Sequence, residues 1–308
     1  MLSYARNNRS RFTLRGFKLL VVLLIFGAVP PAIAEESATF ASVSWNPRQL
    51  KVGSPCLFKV ETPAAPSSLK GKWQGRDLVF FSVAPRHVWY GLAGVDVEAI
   101  PGNYKLELEA TMPDGRVLHD VREVRVRPST YKTEKLKVPD RFVQPDAEAQ
   151  KKIEADQELK KKAFAHQTAA PEWSGSFHPP INSTVSEAFG TRRTFNGKLA
   201  SIHRGLDYHA KEGTPTMAAN AGTVVLARDL FYEGNCVIID HGEQFMTLYM
   251  HLSQIQVAEG EKVKEGQQIG LSGDTGRATG PHLHLAVRWQ GAYLDPAQLW
   301  MLSLPNLP

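Results

Sequence analysis

Beyond Trp173 the sequence is a succession of short β-prone runs separated by glycine-containing turns. No helical pattern of any length interrupts these runs, which lie at residues 223–226, 237–239 and 247–249. Turns such as Asp240-His241-Gly242 punctuate them, and His241 is expected at the surface of its hairpin. The pattern predicts an antiparallel, β-rich domain over residues 173–308.

Residues 40–128 carry strand signals of a second kind. From Tyr104 to Ala110 apolar and charged side chains alternate, which is the period of a half-buried strand. A Pro-Asp-Gly turn follows, and residues 124–127 repeat the alternation. Residues 78–83 are almost continuously apolar and are expected to form one strand. Short strands at this spacing predict a small β-sandwich that resembles an immunoglobulin-like domain.

Residues 129–172 show neither pattern and are predicted to be a charged helical linker. After Pro145, which a first helical turn tolerates, acidic residues precede basic residues by four positions, a spacing and order that stabilise a helix. The pairs are Glu148 and Lys152, Asp156 and Lys160, and Glu158 and Lys162. The apolar residues available to dock this helix on a neighbouring domain are Ile153, Leu159 and Phe164.

Residues 1–34 have the features of a secretory signal peptide. Five basic residues precede an apolar run that ends at Val29, and Ala32-Ile33-Ala34 provides an A-x-A cleavage site. The apolar run is shorter than the roughly 20 residues that a bilayer span needs. We therefore expect cleavage after Ala34 and no stable membrane anchor on the mature protein, although retention as an anchor is the alternative.

Cleavage also changes the charge of the protein. The signal holds five of the 36 Lys and Arg residues and none of the 31 Asp and Glu residues, so the mature chain is formally neutral. The basic balance is therefore no argument for nucleic acid as a partner. The 274 mature residues suffice for two domains with cores of their own. The cysteines, Cys56 and Cys236, lie in apolar runs of different predicted domains and are expected to be buried free thiols, with a disulfide in an oxidising compartment as the alternative.

The histidines of the C-terminal region form groups that a metal ion could join. Residues separated by an even number share one face of a strand, so His282 and His284 point the same way. His203 and Asp207, four apart, can do so too if Gly205 lies in extended chain. Two imidazoles and one carboxylate from these groups leave a fourth position open, which distinguishes catalytic from structural zinc.

The order of these motifs, HxxxD, a third histidine at His251, then HxH, resembles the lysostaphin/LytM-type zinc peptidoglycan endopeptidases. The resemblance covers residues 175–300. It is supported by Phe189 to Arg193, by Gly213-Thr214-Pro215 with Ala218 and Gly222, and by Gly266 to Gly273 leading to Gly280-Pro281.

This resemblance implies Zn²⁺ as the cofactor, with His203, Asp207 and His284 as its ligands. It implies His251 and His282 as the catalytic pair that orients water, moves protons and stabilises the oxyanion. A histidine is a natural general base near neutral pH, which agrees with these roles.

The fold class expected is all-β: an immunoglobulin-like sandwich, a helical connector and an antiparallel zinc peptidase domain. The function expected is an exported, monomeric metalloendopeptidase acting on peptidoglycan, with a periplasmic location favoured over an extracellular one. Two alternatives remain: a non-catalytic activator of a cell-wall amidase, and an exported metallopeptidase that acts on proteins. The bond cut, the existence of a latent form and the role of the sandwich stay open.

The remaining polar residues of the region are weaker candidates. His209 follows Asp207 closely and could reach the cleft, although the motif does not require it. Arg193, Phe195 and Asn196 either line the cleft or stabilise a loop. The histidines without an identifiable partner in the sequence are His87, His119, His166 and His178.

Overall fold

The computed structural model describes residues 39–83, 86–168, 170–197 and 199–307, and β-strands are their main regular secondary structure. The predicted signal peptide, residues 1–34, falls outside these ranges. Within the ranges, no helix is both long enough and apolar enough to cross a bilayer.

The N-terminal region consists of two sheets. Its strands are β1 (Ser42–Asn46), β2 (Leu50–Lys51), β3 (Pro55–Glu61), β4 (Ser68–Trp73), β5 (Arg76–Val79), β6 (Phe81–Val83), β7 (Val88–Gly94), β8 (Gly102–Thr111) and β9 (Val117–Arg127). One sheet has the order β1-β3-β7-β6 and the other the order β2-β9-β8-β4-β5. Buried side chains of both sheets belong to the same apolar cluster. An immunoglobulin-like sandwich stays a prediction for this region.

The alternating pattern of β8 has the expected result, since Leu106, Leu108 and Ala110 are buried while their charged neighbours face outward. The continuous apolar run 78–83 behaves differently. It is divided between β5 and β6, which belong to different sheets, so the expectation of one strand is wrong. The chain passes between the sheets at Phe80, whose side chain is buried in the shared cluster.

The connector contains a strand, β10 (Thr133–Leu136), a short 3₁₀ turn at Asp140–Phe142 and a helix, α1 (Ala147–Phe164). The helix begins at Ala147, two residues after Pro145, which was expected in its first turn. The Asp146 carboxylate accepts a hydrogen bond from the Ala149 N–H and caps the helix, so Pro145 lies outside it.

The C-terminal region is an antiparallel β structure with one short helix, α2 (Pro296–Leu299). Its strands are β11 (Val185–Glu187), β12 (Arg192–Phe195), β13 (Leu199–Ile202), β14 (Leu206–His209), β15 (Pro215–Met217), β16 (Gly222–Leu230), β17 (Gly234–Asp240), β18 (Phe245–Ile255), β19 (Lys262–Val263), β20 (Gln268–Ser272), β21 (His282–Trp289) and β22 (Ala292–Leu294). The main sheet has the order β11-β14-β21-β18-β17-β16-β19. A smaller sheet, β10-β12-β13, joins the connector to this region.

Helix α1 packs on β16 of the C-terminal region, as the apolar residues in the linker suggested. Ala163 is buried in a cluster with Leu226, Leu230 and Cys236, and Phe164 packs against the same cluster. Leu159 does not dock, since 39% of its surface is exposed.

The two β regions share buried surface. The rings of Phe81 and Trp173 meet edge to face with centroids 5.2 Å apart. The Asp295 N–H donates to the Gly53 carbonyl at 2.8 Å, and the Ser54 hydroxyl donates to Gln298 at 2.8 Å. Among the described residues, buried apolar side chains of both regions form a continuous cluster. The boundaries at residues 128 and 172 therefore stay a prediction, since they fall within one compact unit.

The two cysteines are free and buried, as expected. Cys56 and Cys236 lie in the N-terminal and C-terminal regions respectively, and burial raises the pKa of both thiols. Neither thiol is therefore reactive near neutral pH.

Candidate metal centre

The HxxxD motif forms the connection between β13 and β14 and continues into β14. His203 follows β13, and Asp207 is the second residue of β14. Gly205 lies between them against β21, where a Cβ atom would be 2.3 Å from the Leu285 carbonyl oxygen and 2.6 Å from Nε2 of His284. Only a glycine permits this approach, which brings His203 and Asp207 beside the third residue of the group.

The third residue, His284, is supplied by the register of the sheet. Strands β14 and β21 are antiparallel neighbours, and Asp207 is the cross-strand partner of His284. Side chains on directly paired residues project to the same face of a sheet. His203, Asp207 and His284 are all buried there, with 2%, 6% and 8% of their surface exposed.

Three atoms converge at this point. Nε2 of His203 lies 3.0 Å from Oδ1 of Asp207 and 3.0 Å from Nδ1 of His284, and the last two atoms are 2.7 Å apart. Together these residues form a set able to hold a metal ion. Two imidazole nitrogens and one carboxylate oxygen are a donor set that suits zinc.

Hydrogen bonding outside the set fixes the proton on His203. Its Nδ1 lies 2.9 Å from the Ala188 carbonyl oxygen, which can only accept. In the neutral ring Nδ1 therefore carries the hydrogen, and the lone pair of Nε2 points towards Asp207 and His284. A cation satisfies lone pairs that converge in this way, so the residues present fit a metal ion.

The protonation states of Asp207 and His284 also suit metal binding. Burial opposes ionisation of Asp207, but the neighbouring His284 and His203 hold the pKa of this carboxyl well below its usual range. Burial lowers the pKa of His284 to about 4. Near neutral pH the set therefore offers an ionised carboxylate and an unprotonated imidazole, the forms that bind metal ions.

Arg193 binds the Asp207 carboxylate on the oxygen that does not face the histidines. Its guanidinium donates to Oδ2 of Asp207 at 2.6 Å and makes a two-pronged contact with the Glu187 carboxylate. The oxygen that faces the histidines is Oδ1. Arg193 therefore orients Asp207 and leaves free the oxygen that would bind the metal. The sequence placed Arg193 either in the cleft or in a loop contact, and the structure shows that it lines the cleft and also bonds the metal set.

His251 lies beside the set in an unusual backbone conformation. It is on β18, yet its φ angle is +62°, a left-handed value that costs a residue with a side chain about 1–2 kcal/mol. The residue is 8% exposed, its Nδ1 lies 2.8 Å from the Thr275 carbonyl oxygen, and burial lowers its pKa to about 3. The proton is thus on Nδ1, and Nε2 has a free lone pair.

His282 completes the group. Its ring centroid is 4.8 Å from that of His251, and its Nε2 is 3.8 Å from Oδ1 of Asp207. Nδ1 of His282 lies 2.7 Å from the Gly280 carbonyl oxygen. Backbone carbonyls therefore orient both His251 and His282, and both rings line the cleft.

The five residues lie in a cleft of about 930 Å³ whose walls come from all three regions of the chain. Glu98 belongs to the N-terminal region, and it forms an ion pair with Arg204. Lys160 belongs to helix α1, and it forms an ion pair with Glu233. The sequence did not single out Glu98, Glu233 or Arg277 for the cleft, because the segments that carry them meet only in the folded chain.

The other histidines have different surroundings. His209 is exposed at the edge of the cleft. His241 was expected at the surface but is fully buried, with Nδ1 2.7 Å from the Ala221 carbonyl and Nε2 2.7 Å from the Thr247 hydroxyl. His166, which had no partner in the sequence, lies 2.7 Å from the Asp240 carboxylate.

The burial of His241 has a structural cause. The chain around residues 170–172 passes over the turn, and the Glu172 N–H donates to the His241 carbonyl at 2.7 Å. The ring of Phe177 packs edge-on against the imidazole, with centroids 4.9 Å apart. A turn that is covered by a distant segment loses its exposure to solvent.

Comparison with known proteins agrees with this site. Residues 201–296, which include all five residues, match the family model of Peptidase family M23. The chain therefore carries a Peptidase M23 domain, and the resemblance drawn from the motifs is confirmed. A solved structure described as a peptidase M23 from Pseudomonas aeruginosa is similar over 82% of this chain and 95% of its own, with 26% identity and a TM-score of 0.63.

Two curated relatives are similar over the same part of the chain. The peptidoglycan DD-endopeptidase ShyA of Vibrio cholerae is 47% identical over 129 residues, which are 40% of this chain and 30% of the relative. The DD-carboxypeptidase/endopeptidase Mpg of Neisseria meningitidis serogroup B is 37% identical over 132 residues, 43% of this chain and 30% of the relative. The similarity thus spans less than a third of each relative.

Proposed function

We propose that this protein is an exported zinc metalloendopeptidase that hydrolyses peptide bonds in the stems or cross-links of bacterial peptidoglycan. The observation that carries the proposal is the convergence of His203, Asp207 and His284 within 3.0 Å, beside two further histidines in an open cleft. The relatives named as peptidoglycan endopeptidases share this domain, which favours the same substrate class.

Zinc would be held by Nε2 of His203, Oδ1 of Asp207 and Nδ1 of His284. When bound, it would supply a Lewis acid that polarises the scissile carbonyl and lowers the pKa of water. A peptidase needs a metal site that protein ligands do not close, and three ligands meet that condition.

The neighbouring histidines would move protons. Nε2 of His251 has a free lone pair and can accept a proton from the attacking water, because the Thr275 carbonyl keeps the hydrogen on Nδ1. His282 faces the same space from β21 and, once protonated, can donate to the oxyanion or to the leaving amine. Arg193 would keep Asp207 ionised and correctly turned throughout the reaction.

The rival functions differ in what they require of these residues. An activator of an amidase needs no intact metal set, whereas this chain has the three donors and both histidines in one cleft. A peptidase acting on proteins would need the same residues, so only the substrate separates it from the proposal. The proposed substrate requires export, since peptidoglycan lies outside the cytoplasmic membrane; a periplasmic site of action stays the favoured prediction.

Digestion of purified peptidoglycan sacculi by the mature protein tests the proposal. We expect release of soluble fragments with new peptide termini, identified by mass spectrometry, and about one zinc per molecule by elemental analysis. The His251→Ala variant is the matched control, because it leaves the metal set intact. A protein that binds zinc and cleaves casein but leaves sacculi unchanged would favour the protein-directed peptidase. A protein that cleaves neither but stimulates an added amidase would favour the activator.

A further inference from the structure

Arg277 is a cation in the cleft for which the described part of the chain provides no ion-paired carboxylate. Three other basic side chains that line the cleft form ion pairs: Lys160 with Glu233, Arg193 with Glu187 and Asp207, and Arg204 with Glu98. Among the described residues, no carboxylate lies within ion-pair distance of Arg277 or of Arg192. Arg192 is exposed to solvent, whereas Arg277 is partly buried.

Two aromatic rings hold the Arg277 guanidinium in place. Its central carbon lies 4.7 Å from the centroid of Phe195 and 4.6 Å from the centroid of Tyr232. Cation–π contacts use the faces of a guanidinium and leave the N–H groups at its edge available. Burial lowers the pKa of Arg277, as expected for a cation that has lost water without gaining an anion, although the group remains charged.

The loop that carries Arg277 is firmly anchored. A Cβ atom on Gly276 would lie 2.3 Å from the Gly234 nitrogen, so the loop touches the β16–β17 hairpin backbone to backbone. The Arg277 N–H donates to the Tyr232 carbonyl at 2.9 Å, and the Thr275 hydroxyl accepts from the Asn235 N–H at 2.9 Å. Thr275 is also the residue whose carbonyl orients His251. The guanidinium therefore has a fixed position relative to the proposed catalytic histidine.

We propose that Arg277 is a specificity-determining residue that binds a free carboxylate of the peptide substrate next to the scissile bond. A preoriented guanidinium recognises carboxylates through two parallel N–H···O bonds, and carboxylates occur in peptidoglycan stems at peptide termini and on diamino acids. The inference rests on the proposed function, since it concerns the substrate of that site. Glu233, whose charge also acts on Arg277, is bound by Lys160 and is not within ion-pair distance of Arg277.

The test uses a cross-linked peptidoglycan peptide with free carboxylates and matched peptides in which one carboxylate at a time is amidated. We expect one amidation to lower kcat/KM of the wild-type protein by roughly 10- to 100-fold, the effect of losing a hydrogen-bonded charge. Arg277→Gln should lose this discrimination and cleave both peptides at the low rate. Arg277→Lys should recover part of it, because it keeps the charge but not the planar group.

Arg288→Gln is the matched control. Arg288 also stacks on an aromatic ring, 3.9 Å from the centroid of Phe164, but it lies outside the cleft. Its replacement should leave the discrimination unchanged. Equal cleavage of every peptide by the wild-type protein, or an equal loss on all of them in Arg277→Gln, would overturn the role of Arg277 and leave the proposed function standing. If the wild-type protein cleaves none of the peptides or sacculi, the proposed function fails and the inference with it.

Discussion

Arg193 and Asp207 form an ion pair of 2.6 Å on the carboxylate oxygen that does not face the histidines. The same guanidinium also binds Glu187, so its position is fixed from two sides. Arg193 therefore determines which oxygen of Asp207 joins His203 and His284. Partners of this kind hold a ligand in the geometry that the metal requires.

Replacing Arg193 with Gln should weaken zinc binding while all three ligands remain. We expect the affinity to fall by about 10- to 100-fold, since the carboxylate is then free to rotate and loses a compensating charge. Competition with a chromophoric chelator measures this affinity. Arg192→Gln, at the adjacent and exposed position, is the control and should bind zinc normally. Unchanged affinity in Arg193→Gln would show that packing alone orients Asp207.

Ligands and proton carriers should separate when each is replaced with Ala. Removing His203, Asp207 or His284 takes away one of three donors, so both zinc and activity should be lost. His251→Ala leaves the donors in place, so zinc should remain while the rate falls by about two to four orders of magnitude. Elemental analysis and sacculus digestion on the same preparations check both quantities. His282→Ala should resemble His251→Ala, with some loss of zinc affinity through its neighbour His284.

The opposite distribution of effects would contradict these roles. A His251→Ala protein without zinc, alongside a His203→Ala protein that retains it, would exchange the two assignments. If all five Ala variants of the preceding paragraph digested sacculi normally, hydrolysis at this site would be excluded.

The left-handed backbone at His251 should be visible in the stability of variants. Glycine adopts a φ of +62° without the side-chain clash that alanine has there. We therefore expect His251→Gly to be more stable than His251→Ala, by up to about 1 kcal/mol in urea unfolding at equal zinc content. At Met250, the neighbouring strand residue, the order should reverse, with Ala more stable than Gly. If Ala were more stable at both positions, His251 would not be strained.

Glu243 is a pH-sensitive group outside the metal set. Burial, with a smaller effect from Asp240, raises the pKa of Glu243 to about 8 from its ordinary 4.5. Because the folded chain holds this proton more tightly than the unfolded chain, the contribution to stability is complete below about pH 4.5 and is lost as the pH rises through about 8.

Between these limits the wild-type protein should lose stability relative to Glu243→Gln by up to about 1.4 kcal/mol for each pH unit. Urea unfolding of both proteins at pH 5, 6, 7 and 8 measures the difference. Parallel stability curves for the two proteins would show that Glu243 ionises without cost.

Local spacing predicted only part of the metal set; the choice of ligands came from the family resemblance, and the pairing of β14 with β21 came only with the fold. His282 and His284 share a strand face by parity, and Gly205 was the condition that let His203 and Asp207 come together. The structure brings His203, Asp207 and His284 together as expected. The strand pattern around Leu106 and Leu108 was also correct, since alternation is likewise a local property.

Features that depend on distant segments were not predictable. His241 lies in a turn with an ordinary surface sequence, and only the passage of residues 170–172 over it causes burial. Arg193 gains its ion pair with Asp207 through the meeting of separate strands. The surface shared by the two β regions, such as the contact between Phe81 and Trp173, has no counterpart in the local pattern.

The pairing of Asp207 with His284 across β14 and β21 links metal binding to the choice of strand register. A slip of one residue would turn every side chain of a strand to the opposite face, so the donors would no longer meet. Zinc, if bound as proposed, would stabilise the native register by RT ln(1 + [Zn²⁺]/Kd), about 4 kcal/mol when zinc exceeds Kd by 1,000-fold. Under the proposed function, metal binding would therefore select the correct strand register, since a chain with a shifted β14 or β21 would not gain this stabilisation.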